Sequence, residues 1–320
     1  MTSFAASRMP IPSPSPLLDE AATIEVGGRT RTLTVVRPEG GTAGSPVVLV
    51  YHGSNQNAKR VRAFAGGTFD RFAAWGGAVV VYLDGYRGNW NDARIGSRFA
   101  ARQENIDDVA FTKAVINLLV ERDRVDPSRV YAVGYSSGGA MVIRLAHAIP
   151  DRLAGLGIIS ATQPVPENFL LQGAPAYPLP TLLIHGTKDR LVPYEGGMAS
   201  LWGFRPRGLG LSARQTANYF AARNGITAEP GVRILPHRPD SRGTTVDQLD
   251  FRQDGRPPVT LYTVHGGGHV IPGPRNAPRI MGRTTHDLVA VDALGTLFGL
   301  ATGPEPSDAD PARISGRSGS

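Results

Sequence analysis

The chain has 320 residues, 41% of them hydrophobic and 19% charged, a balance that suits a globular protein with a substantial core. Its formal net charge is +7 and its pI about 10.0, yet the arginines are scattered among aspartates and glutamates with no basic block, so no nucleic-acid partner is expected. The absence of cysteine excludes disulfides and thiolate metal sites, and no apolar run approaches the ~18 residues of a membrane span.

Residues 1–20 read as a disordered Ser/Pro-rich leader, with Pro10, Pro12, Pro14 and Pro16 at alternate positions. This stretch lacks the apolar centre of a signal peptide, so a cytoplasmic protein is expected unless an export segment is missing. Ala22 to Val26 and Arg31 to Val36 predict a hairpin around Gly27-Gly28. Val47 to Tyr51 is a continuous apolar run of buried-strand type, ending in the polar turn His52-Gly53-Ser54-Asn55-Gln56-Asn57. A helix is expected over Val61 to Trp75, then a second buried strand over Ala78 to Leu83, then a long polar loop from Gly88 to Arg102. Asn105 to Glu121 carries an apolar stripe at helical spacing.

Val130 to Tyr135 reads as a strand that breaks on Gly134, presents Ser136, and resumes through Gly138 and Gly139 into an apolar helix, Ala140 to Ala148. Strand, G-x-S-x-G and helix together make the context of a nucleophile elbow; an ordinary glycine-rich turn is the plain alternative. Leu156 to Ile159 and Thr181 to His185 are further strands, separated by a proline-rich excursion, and the second ends in Gly186-Thr187-Lys188-Asp189. An irregular loop at 201–212 precedes a helix over Ala213 to Arg223, and residues 232–255 show no clear pattern. Val259 to Val264 is the last strand, followed by Gly266-Gly267-Gly268-His269, and Asp287 to Phe298 closes as a helix. Strands alternating with helices predict an α/β fold, a mostly parallel twisted sheet with helices on both faces. One domain over residues 21–301 is expected, with a disordered tail at 302–320. Ligands of such sheets sit off the carboxyl ends of the strands, where the turns at Ser54, Ser136, Asp189 and His269 would meet.

These turns hold the parts of a nucleophilic site. A serine hydroxyl needs a base to take its proton and a carboxylate to orient that base. Ser136, Asp189 and His269 follow one another in that order, with both partners just past buried strands. Asp189 has the alternative of capping its own turn. His269 competes with His265 and, more weakly, with His286; the three glycines between His265 and His269 oppose the helix that a metal-binding pair would need. Asp287 and Asp292 fit a helix surface better than a triad. Two backbone N–H donors must face the oxyanion, one from Ser137 and the other from the His52-Gly53-Ser54 turn, through Ser54. His52 itself suits a structural hydrogen-bonding role. Tyr135, Trp90 and Tyr86 are candidates to line a pocket for an aromatic acyl group, although aromatics in such proteins more often pack. No metal or cofactor is called for.

The segments His52 to Ala58, Ile106 to Phe111, Asp126 to Tyr131, Gly134 to Gly139, His185 to Asp189 with Val192-Pro193-Tyr194, and Gly266 to His269 together resemble a known family. It comprises the bacterial polyhydroxybutyrate depolymerase-like or feruloyl-esterase-like serine esterases of the α/β-hydrolase superfamily. The resemblance implies an α/β-hydrolase fold, a triad of Ser136, Asp189 and His269, and an oxyanion turn at His52 to Ser54. Relatives often place Trp-Pro-Gly after the catalytic histidine, where this chain has Val270-Ile271-Pro272-Gly273; many are secreted and contain cysteines. The expected activity is hydrolysis of a small-molecule or polymeric carboxylic ester through an acyl-enzyme, without a cofactor or membrane partner and with the oligomeric state open. A thioesterase or peptidase with the same triad, or a non-catalytic binding module, are the alternatives.

Overall fold

The computed structural model describes residues 13–200, 206–241 and 243–304. Its strands are β1 (Leu17–Val26), β2 (Arg29–Pro38), β3 (Val47–Tyr51), β4 (Val79–Leu83), β5 (Val130–Tyr135), β6 (Gly155–Ile159), β7 (Thr181–Gly186), β8 (Gly197–Met198), β9 (Leu209–Gly210), β10 (Gly231–Ile234), β11 (Thr245–Phe251) and β12 (Val259–His265). Among the described residues, ten of them form one sheet in the order β1-β2-β4-β3-β5-β6-β7-β12-β11-β10. The run from β4 to β12 is parallel, and antiparallel pairs extend it at both ends. The helices are α1 (Ala58–Phe64), α2 (Arg71–Ala74), α3 (Ala100–Gln103), α4 (Asp108–Asp123), α5 (Ser137–Ala148), α6 (Ala213–Arg223) and α7 (Ala290–Phe298).

The central strands read as unbroken apolar runs because both of their faces are covered. Alternate residues of β3 divide between two cores: Val47, Leu49 and Tyr51 point to one, Val48 and Val50 to the other. The first core contains Phe111 and Leu119 of α4, Met141 of α5 and Phe220 of α6; the second contains Phe72 of α2 and Leu294 and Phe298 of α7. Each fully buried Val, Leu or Phe contributes about 1.5–3 kcal/mol, so the sheet's centre is the best-stabilised part of the molecule. Both acids of the Ile106-Asp107-Asp108 motif have structural roles. Asp107 caps α4 by accepting from the Ala110 N–H at 2.8 Å, while fully buried Asp108 pairs with Arg31 at 2.7 Å and ties α4 to β2.

Several expectations need correction. The helix expected over Val61 to Trp75 is broken, because Gly66 and Gly67 take φ of 67° and 71° and divide α1 from a short 3-10 turn and α2. The last helix begins at Ala290 rather than Asp287. Residues 232–255, unpatterned in sequence, supply β10 and β11 as an antiparallel extension of β12. Strand β1 starts at Leu17, so residues 17–20 of the supposed leader belong to the sheet. Residues 1–12 of that leader, residues 201–205 of the irregular loop and residues 305–320 of the tail lie outside the described residues. No helix among the described residues is long and apolar enough to cross a membrane.

Candidate active site

Strands β3, β5, β7 and β12 run parallel within one contiguous stretch of sheet, so the turns after their carboxyl ends share one rim. Ser136 sits between β5 and α5 with φ 56° and ψ −120°, a conformation that costs a non-glycine residue about 1–3 kcal/mol. The turn can be this tight only because Gly134 and Gly138, two residues to either side, lack side chains. A Cβ at Gly138 would lie 2.1 Å from Tyr51 O and 2.7 Å from His52 O, so glycine lets α5 press against the end of β3. The turn projects the Ser136 hydroxyl toward His269, whose Nε2 is 2.8 Å from Oγ.

His269 Nδ1 lies 2.6 Å from Asp189 Oδ2. With a carboxylate facing Nδ1, that nitrogen carries the proton and Nε2 is free to accept one from Ser136. Asp189 is itself held in place: its Oδ1 accepts the Leu191 and Val192 N–H groups, both at 2.9 Å. His185 Nε2 lies 2.9 Å from Val192 O and 3.4 Å from Asp189 Oδ2. Burial alone would raise the Asp189 carboxyl, but the adjacent His269 and His185 outweigh it and hold the group well below the usual carboxylate range. The His269 loop is fixed from beyond the sheet, its N–H donating to Met281 O at 2.7 Å and the Gly268 N–H to Arg283 O at 3.0 Å. All three side chains are nearly buried, with Ser136 the most accessible at 8%.

The turn after β3 lies against the elbow, with Gly138 packed on Tyr51 O and His52 O. The Gly53 N–H is taken by Gln56 Oε1 and the Asn55 N–H by Gly88 O. Between them, the Ser54 N–H has no acceptor among the described residues, while its hydroxyl accepts from Arg207 at 2.9 Å. Ser137 is the first residue of α5, so its N–H is one of the four that a helix leaves without an internal acceptor. His52 is the structural residue expected from sequence. Its Nδ1–H donates to Gly53 O at 2.7 Å and its Nε2 accepts the Gly85 N–H at 2.9 Å. Burial, the dominant influence, brings its pKa down to about 4 and keeps it neutral.

The three aromatics expected around a pocket have other roles. Trp90 is fully buried, donating to His52 O at 2.9 Å and packing on Tyr51 and His52. Tyr135 is buried against Phe64 and donates its hydroxyl proton to His269 O at 2.7 Å. Half-buried Tyr86 bonds Glu104 at 2.8 Å, with Arg29 and Arg87 over its ring. The rival groups are also engaged elsewhere: His265 with Asp247, His286 with Asn276, Asp287 with His237 and Asp292 with Arg71.

Two cavities flank the Ser136–His269 contact. One, of about 20 Å³, is lined by Ser136, Arg94, Ala140, Ala161, Pro164 and Leu209 among others. The other, of about 240 Å³, opens beside His269 between residues 188–191 and 279–283. Arg94 was not foreseen; only 7% exposed, it is held by Asp92 through two hydrogen bonds. Its only mark in the sequence is the Asp-x-Arg spacing within a long polar loop.

Comparison with known proteins agrees with this architecture. Residues 77–201 match the Phospholipase/Carboxylesterase family. Over 290 residues the chain is 30% identical to the "Putative esterase NocK" of Nocardia uniformis subsp. tsuyamanensis, covering 87% of this chain and 82% of the relative. It is 28% identical over 248 residues to feruloyl esterase B of Piromyces equi, covering 75% of this chain and 42% of that longer protein. Acetyl xylan esterase from Aspergillus awamori shares the fold with a TM-score of 0.56 at 13% identity, covering 89% of this chain and all of the other. The chain belongs to the feruloyl-esterase-like family of α/β-hydrolases and is a serine hydrolase of carboxylic esters.

Proposed function

We propose that Ser136, His269 and Asp189 are the catalytic triad, that the Ser54 and Ser137 N–H groups form the oxyanion hole, and that the acyl half of the substrate is short. The observation that carries the triad is the unbroken hydrogen-bonded line from Asp189 Oδ2 through both nitrogens of His269 to Ser136 Oγ. Ser136 Oγ attacks the ester carbonyl as Nε2 takes its proton, and the imidazolium that forms is stabilised by the Asp189 carboxylate. The carbonyl oxygen, now negative, is met by the two N–H groups, each worth about 3–4 kcal/mol in such a site. Nε2 then returns the proton to the departing alcohol. Water enters, loses a proton to Nε2, and releases the acid from Ser136 by the same steps.

The short acyl group is supported by the cavity on the Ser136 side. Its 20 Å³ is room for about one water-sized group, which suits an acetyl methyl and not an aromatic ring. Purified protein tested on p-nitrophenyl acetate, butyrate and octanoate and on methyl ferulate should show kcat/KM falling with acyl size. Higher efficiency on octanoate or ferulate than on acetate would overturn the short-acyl reading. Ser136→Ala should lower kcat by at least about 10⁴-fold, and a variant within tenfold of wild type would overturn the triad.

A further inference from the structure

We propose that the cleft beside His269 is a leaving-group subsite for an alcohol that carries a negative charge, so that the substrates are short-chain esters of acidic alcohols such as hydroxy acids. This rests on the assignment of Ser136 and His269 made above. His269 lines the 240 Å³ cleft while Ser136 lines the smaller cavity. The leaving oxygen must receive its proton from Nε2, so the departing alcohol lies on the imidazole side and the acyl group on the serine side.

The cleft's walls are unusual in charge. Lys188 and Arg190 come from the loop that carries Asp189, and Arg279 and Arg283 from the segment that holds His269 by backbone bonds. Among the described residues, no Asp or Glu lines the cleft and none of these four cations is ion-paired; the Arg283 guanidinium makes a 3.4 Å bond to Gly243 O. Four uncompensated cations around one concave space focus a positive potential there, and guanidinium groups suit a carboxylate geometrically. Leu191 and Met281 line the same space, and Ile280 does so while 68% exposed. The chemistry is therefore an apolar body ending in an anion. Among the described residues, the cavity at Ser136, by contrast, offers a cation only in Arg94, already paired with Asp92.

The test is a matched pair of acetate esters, 4-acetoxybenzoate and 4-acetoxybenzamide, which share shape and acyl group and differ in leaving-group charge. Wild-type enzyme should favour the benzoate in kcat/KM by about tenfold at low salt, chiefly through KM, with the preference shrinking as ionic strength rises. In Arg190→Gln/Arg279→Gln, which removes one cation from each wall, the benzoate-to-benzamide ratio should collapse toward one. The double Lys variant at the same positions should restore it. A wild-type ratio of one or below, or a ratio unmoved by the Gln variant, overturns the subsite. Calorimetry on Ser136→Ala with 4-hydroxybenzoate and 4-hydroxybenzamide reads the same subsite without turnover. Tighter binding of the benzoate, weakened when Arg190 and Arg279 are replaced by Gln, supports the subsite even if the catalytic assignment fails. Equal binding of the two overturns it even if acetate esters are hydrolysed.

Discussion

Replacing Asp189 by Asn should inactivate the enzyme while leaving it folded, because the neighbouring groups dictate how the amide must sit. Oδ1 accepts two backbone N–H groups, from Leu191 and Val192, at 2.9 Å each, and only a carbonyl oxygen can take its place. Flipping the amide would set its NH₂ against both donors, leaving two hydrogen bonds unmade at about 1–3 kcal/mol each. The NH₂ is thus forced into the Oδ2 position, 2.6 Å from His269 Nδ1. Facing a donor, Nδ1 must become the acceptor, and the imidazole proton moves to Nε2, where it blocks acceptance from Ser136. The expected loss in kcat is about 10⁴-fold, equivalent to roughly 5 kcal/mol of transition-state stabilisation. Asp189→Ala, by contrast, abandons both backbone donors and should also lose about 2 kcal/mol of stability or more. Steady-state hydrolysis of p-nitrophenyl acetate and urea unfolding of both variants separate the two effects. An Asn variant with kcat within tenfold of wild type, or an Ala variant as stable as the Asn one, would refute the reasoning.

Stability should fall in mild acid. Burial lowers the pKa of both His52 and His147 from 6.5 to about 4, so below pH 6.5 the unfolded chain takes up protons that the folded one refuses. Each histidine then costs about 2 kcal/mol by pH 5 and about 3 once pH passes 4. Urea unfolding at pH 7.5 and 5.0 should show this loss, and His147→Phe should remove about half of it; equal stability at the two pH values would contradict it. Gly138→Ala should destabilise the fold by on the order of 3 kcal/mol and abolish labelling by a fluorophosphonate, since the added methyl overlaps the Tyr51 and His52 carbonyls. A variant labelled at the wild-type rate would show that the elbow needs no such close approach. Tyr135→Phe removes the bond to His269 O, leaving a buried carbonyl unpaired at about 1–2 kcal/mol. It should reduce kcat severalfold with little change in KM; a change confined to KM would instead return Tyr135 to the substrate pocket.

The proposed triad positions stand out in the sequence because Ser136, Asp189 and His269 each follow an unbroken apolar strand, and such strands declare themselves by composition. Strand-end turns of a parallel sheet converge for topological reasons, which brings the His269 imidazole beside Ser136 and Asp189, while His265 and His286 bond Asp247 and Asn276. The aromatics were misread for the opposite reason. Nothing in Asn89-Trp90-Asn91 distinguishes a tryptophan that roofs a pocket from one buried beneath His52, since both are aromatic residues in a polar loop. Residues 232–234 were unreadable because β10 is an exposed edge strand with every residue exposed. It therefore lacks the burial pattern that marks a strand.

Periodicity and turn chemistry act over a few residues, and from them follow the α/β class and the proposal of Ser136, Asp189 and His269 as the reacting groups. The identity of the groups facing the substrate depends on contacts between segments far apart in the chain. Arg94 reaches the Ser136 cavity, and Arg279 and Arg283 join Lys188 and Arg190 beside His269, only after the sheet has folded. No local preference marks these positions, because a surface arginine costs little wherever it falls. The sequence therefore determined the reaction, and the tertiary structure decided which charges surround it.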